Sequence, residues 1–176
     1  MKRWTRRILV CLTAFAMAGA AGAQMVRFRG ASAGNFTARL SGAQEVPAVE
    51  TEGHGQALLS VSDDRSEVSY KVLVANVENM TQSHIHCGAA GVNGPVVVFL
   101  FGLIPEGETL TGILAQGKFT ATDIIPRPDS AACPGGVADL EGLLAKMEAG
   151  MTYVNVHTIQ NPGGEIRGQV RPPDEE

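Results

Sequence analysis

From residue 66 to 75 (SEVSYKVLVA) the chain alternates, with Val68, Tyr70, Val72 and Val74 at one set of positions and Glu67, Ser69 and Lys71 at the other. Successive side chains of a strand point to opposite faces, so this alternation predicts a half-buried strand. Residues 35–41 (NFTARLS) set Phe36, Ala38 and Leu40 against Thr37 and Arg39 in the same way. Further strands are predicted over 55–62, 82–87, 95–101, 109–120, 151–158 and 164–171. They are separated by glycine and proline clusters at Gly88 to Pro95, Pro105 to Gly107 and Asn161 to Gly164. The run from Val96 to Phe101 is apolar on both faces and predicts a central strand. One stretch departs from the period of two. Residues 137–149 place Leu140, Leu143, Leu144 and Met147 at helical spacing, and Gly150 stands where a helix is commonly ended.

About seven to nine short strands with one short helix predict an all-β fold. The expected architecture is a Greek-key-like β-sandwich or barrel, immunoglobulin-like or like the copper/zinc superoxide dismutases. The sole tryptophan, Trp4, lies at the extreme N-terminus, so the Cys…Trp…Cys core of true immunoglobulin domains is absent.

The N-terminus reads as an export signal. Lys2, Arg3, Arg6 and Arg7 precede an apolar run from Ile8 to about Ala21, which ends in the small-x-small triplet Ala21-Gly22-Ala23. At roughly 14 residues the run is short for a bilayer span, which needs about 20. Cleavage is expected after Ala23. Residues 1–23 are then a signal peptide, 24–34 a flexible lead-in, 35–171 one domain, and 172–176 a disordered tail beginning at Pro172 and Pro173. The expected location is the periplasm or the external medium.

Export changes the charge balance. Loss of the four basic residues of the signal leaves ten Lys and Arg against eighteen Asp and Glu, a net charge of −8. Such a surface argues against nucleic acid, whose phosphates require clustered cations, and against an anionic membrane once the signal is gone. An extracellular protein or matrix component is the partner class left open. Cys87 and Cys133 remain, an even pair that in an exported chain suggests a disulfide. Two buried thiols, or a thiol serving as a metal ligand, are the alternatives.

Three of the four histidines are placed for chemistry. His84 and His86 flank Ile85, and residues i and i+2 of a strand share a face. With Ile85 turned to the core, both imidazoles point outward. With Val154 and Val156 turned to the core, His157 points outward too. A surface cluster of His84, His86 and His157 would suit copper or zinc, both of which favour nitrogen ligands. The competing reading is a polar strand face on which His157 only bonds a loop. His54, in a Gly-His-Gly turn, is left outside the site. Glu165, Arg167 and Gln169 share one side of the last strand. Glu165 and Arg167 either support such a site from behind or pair with each other, and the structural role is the favoured one. No helical His-Glu-x-x-His motif occurs, and Asp63-Asp64 sits in a turn.

The stretch from His84 to Val96 (HIHCGAAGVNGPV) resembles the signature of the chordin-type (CHRD) domain. So do Tyr153 to Thr158 (YVNVHT), Asn161 to Gln169 (NPGGEIRGQ) and the opening Leu40 to Pro47 (LSGAQEVP). The resemblance covers roughly residues 35–171, with several motifs in order. It implies an exported all-β domain, found alone in bacteria and repeated in the animal protein chordin, and it implies no defined chemistry. The His-x-His strand and the late histidine are more loosely similar to copper/zinc superoxide dismutases. The carboxylate and bridging histidine of that ligand set have no counterpart here, so dismutase activity is not expected. The expected function is an exported binding or structural module holding a transition metal through the histidines. A copper- or zinc-dependent enzyme using His84, His86 and His157 is the alternative, and a purely structural matrix domain the third reading.

Overall fold

A computed structural model describes residues 34–173. The expected signal peptide, residues 24–33 of the lead-in and residues 174–176 of the tail lie outside the described residues. Eight strands form: β1 (Gly34–Ser41), β2 (His54–Val61), β3 (Glu67–Ala75), β4 (Met80–Cys87), β5 (Val96–Gly102), β6 (Gly112–Thr120), β7 (Thr152–Thr158) and β8 (Ile166–Gln169). One helix, α1 (Leu140–Glu148), lies between β6 and β7. Each coincides with an element predicted from alternation or helical spacing.

All pairings are antiparallel, in the order β5-β4-β7-β8-β1-β2-β3-β6. The end strands β5 and β6 approach one another, so the single sheet curls into a nearly closed barrel. The alternating apolar residues fill the interior: Phe36, Ala38 and Leu40 of β1, Val68, Val72 and Val74 of β3, Ile85 of β4, Val154 and Val156 of β7. Helix α1 adds Leu140, Leu143, Leu144 and Met147 to the same core. Asp139 caps its N-terminus by accepting from the Gly142 N–H at 2.8 Å, and Gly150 follows it with φ near +64°.

The Val96–Phe101 run is not central. It forms β5, at one end of the ladder. Its second apolar face has a different cause: Phe99, 51% exposed, packs edge-on against the His84 ring with centroids 4.4 Å apart. The backbone edge of β5 is met by the segment after β6, where Ile125 N–H donates to Val97 O and Arg127 Nε to Val96 O. A disulfide joins Cys87, the last residue of β4, to Cys133 across 46 residues and anchors this segment.

A buried histidine layer outside the barrel core

The residues of β4, β7 and β8 that face away from the core are polar. Register places His84 beside Asn155 and Asn155 beside Arg167. One pair along, His86 lies beside Tyr153 and Tyr153 beside Gln169. Side chains directly opposite in a ladder share a face. His157 belongs to this face by the same alternation that puts Val154 and Val156 inside. Three strands thus present His84, His86, Tyr153, Asn155, His157, Arg167 and Gln169 together.

This face is not solvent surface. His84, His86 and His157 are 3%, 8% and 6% exposed, which corrects the expectation of a surface cluster. Alternation predicted the face correctly, but loops cover it. The 88–95 loop is fastened by Arg167, whose Nη2 donates to Ala89 O and Val92 O and whose Nη1 donates to Asn93 Oδ1. Gln169 Nε2 donates to Gly88 O and Gly150 O. Asn93 Nδ2 donates to Val46 O and ties this loop to the 45–53 loop. Glu165 anchors the 45–53 loop in turn, accepting from Thr51, Thr158, Gln160 and Asn161. Glu165 and Arg167 therefore do not pair with each other. Each holds a separate part of the roof.

The three imidazoles converge. The ring centroids of His84 and His157 are 4.9 Å apart, those of His84 and His86 5.5 Å, and those of His86 and His157 6.2 Å. One nitrogen from each lies within 4.8 Å of the others. His86 Nδ1 donates to Gly94 O at 2.8 Å, and His157 Nδ1 donates to Pro162 O at 2.9 Å. Since a carbonyl only accepts, these bonds fix the neutral tautomers and leave each Nε2 with a lone pair. His86 Nε2 and His84 Nε2 are buried with no partner. His84 Nδ1 lies 3.1 Å from His157 Nε2.

Burial holds the rings neutral. It pushes His84 down to about 3, with the neighbouring His157 and His86 adding to the effect, and His86 down to about 4. It lowers His157 as well. The cluster is thus a set of uncharged nitrogen donors at neutral pH. Copper or zinc fits such a set, and the bonds to Gly94 O and Pro162 O are the backing bonds that metal-binding histidines make. Nitrogens around one tetrahedral zinc ion stand about 3.4 Å apart, so binding calls for the rings to draw inward from their present spacing.

The layer contains residues that the sequence reading did not assign to a site. Tyr153 stacks on His86 at 4.7 Å with the rings 10° from parallel, and Asn155 Oδ1 lies 3.1 Å from His157 Nε2. Both follow from the parity already used for His157. Glu45 had no such signal, because only tertiary folding brings it here. It is 7% exposed, its Oε1 is buried without a partner, and burial pushes it up to about 7 against the pull of Arg167. His54 is exposed and away from the cluster, as expected.

Among the described residues no helix is long and apolar enough to cross a membrane. A family model described as the CHRD domain matches residues 36–170. Neither a curated protein nor a solved structure matches the chain.

Proposed function

The chain belongs to the CHRD domain family, and from that premise we propose that it is an exported module that binds a transition-metal ion, copper or zinc, through His84, His86 and His157. One observation carries the reading. Three neutral imidazoles meet in a buried layer with their lone pairs in surplus: His86 and His157 spend their N–H groups on backbone carbonyls, and His84 Nε2 and His86 Nε2 have no partner. A buried acceptor without a donor costs about 1–3 kcal/mol, and a cation among these nitrogens would satisfy them together. Enclosure by Phe99, Tyr153 and the 88–95 loop favours holding an ion over turning over a substrate. Export is supported by the signal-like N-terminus and by the disulfide, which suits an oxidising compartment. An extracellular protein or matrix component is the partner class proposed.

Metal content and Zn(II) and Cu(II) affinity of the purified protein, against a variant with all three histidines changed to alanine, test the metal reading. Equal binding by both sinks it. Redox turnover by the copper-loaded protein would favour the enzyme alternative. Recovery of a chain beginning at Gln24 outside the cytoplasm tests export.

A further inference from the structure

We propose that Asn155 is a fourth ligand of the histidine cluster, through its carboxamide oxygen, which makes the site a three-nitrogen, one-oxygen set. The inference rests on the metal-binding reading above and adds a residue to it.

Asn155 stands in the middle of the cluster. It is the β7 residue registered directly beside His84, it lies between Tyr153 and His157 on the same face, and it is 2% exposed. Its surroundings assign the amide orientation. Oδ1 faces His157 Nε2 at 3.1 Å. Nδ2 lies on the other side, with Glu45: both Nδ2 and Glu45 Oε1 fall within 3 Å of the point where a Cβ on Gly164 would stand. The amide nitrogen thus lies on the Glu45 side, without a hydrogen bond to Glu45 Oε1, and the amide oxygen lies on the imidazole side. Gly164, with φ near +126° and no Cβ, leaves the space that both groups occupy.

This orientation leaves one acceptor of the layer without a donor. His157 Nδ1 donates to Pro162 O, so its Nε2 carries a lone pair. Asn155 Oδ1 carries lone pairs as well. His84 Nδ1, also 3.1 Å from His157 Nε2, can donate to that nitrogen, so the acceptor that faces no donor in this buried layer is Oδ1. A proton on His157 Nε2 would serve Oδ1, but with Nδ1 also protonated the ring would be a cation, which burial opposes. A metal ion held by the three nitrogens gives Oδ1 an electrophile to face. Amide oxygen is also a harder donor than imidazole, which disfavours Cu(I).

The test compares the parent protein with Asn155→Leu and Asn155→Asp, using Zn(II) affinity and the visible absorption of the Co(II)-loaded protein. Circular dichroism checks that each variant is folded. N155L should bind Zn(II) about tenfold or more weakly, and its Co(II) bands should shift as one oxygen donor is lost. N155D keeps an oxygen in place and adds charge, so it should bind at least as tightly as the parent. If N155L matches the parent in affinity and spectrum while the triple-histidine variant fails to bind, Asn155 is not a ligand and the histidine site stands. If N155D loses as much as N155L, the amide acts through Nδ2 and the proposal is overturned. If the parent binds no metal, both readings fall.

Discussion

The guanidinium of Arg167 lies 3.4 Å from the centre of the Tyr153 ring, and Tyr153 in turn stacks on His86. Arg167 is 1% exposed, yet it forms no salt bridge among the described residues. Its charge is offset by the aromatic face, by three oxygens of the 88–95 loop and by the nearby Glu45. One side chain therefore fastens the roof and packs the layer beneath it.

Replacing Arg167 should open that roof. Arg167→Met leaves Ala89 O, Val92 O and Asn93 Oδ1 without their donor, at an expected cost of about 2–4 kcal/mol in chemical denaturation. Arg167→Lys should recover little, because a point charge cannot span three acceptors or lie flat on a ring. Hydrogen exchange over residues 88–95 should accelerate in both variants. Unchanged exchange there would refute the fastening role.

The histidine layer should make the metal-free protein acid-labile. The folded protein holds His84 and His86 at about 3 and 4, below the ordinary 6.5, so the unfolded chain binds more protons between these values. Their contribution is complete above pH 6.5 and is lost as pH falls through the folded values, a few kcal/mol for the coupled cluster, with His84 the larger share. Thermal unfolding in the presence of chelator should show Tm falling from pH 6.5 to 4, and His86→Gln should flatten that limb. An unaltered acid limb in the variant would contradict the assignment.

Glu45 should act in the opposite direction. Its folded value of about 7 lies above the ordinary 4.5. Its contribution is complete below 4.5 and is lost as pH rises through 7, on the order of 3 kcal/mol. Glu45→Gln should therefore gain stability relative to the parent at pH 8 and show little difference at pH 4. A constant difference across that range would show that Glu45 does not titrate in this way.

Reduction should loosen the segment between β6 and α1. The Cys87–Cys133 bridge closes 46 residues, and its loss should cost about 4 kcal/mol in the chain-entropy model. Dithiothreitol, or Cys87→Ala with Cys133→Ala, should lower Tm accordingly. An unchanged Tm on reduction would argue against the bridge.

The eight strands and the helix were legible because their signals are local. Val68, Tyr70, Val72 and Val74 alternate with polar residues whatever else the chain does, and Leu140, Leu143, Leu144 and Met147 fit one helical stripe. The Val96–Phe101 run misled because apolar character on two faces says only that both are covered. Its inner face meets the core, and Phe99 on its outer face covers His84.

Parity along two strands also determined that His84, His86 and His157 would share a face, since i and i+2 cannot do otherwise in a strand. Whether those strands are neighbours is a matter of long-range pairing, and tertiary structure decided it by placing β7 between β4 and β8. Burial was decided there too. No local pattern shows that Arg167 and Gln169 will hold the 88–95 loop across the histidines, or that Glu45 will arrive from a loop distant in sequence from all three strands. The sequence alone specified the donor atoms and their common side. Only folding buried them, and that burial favours the neutral rings and leaves His84 Nε2 and His86 Nε2 without partners.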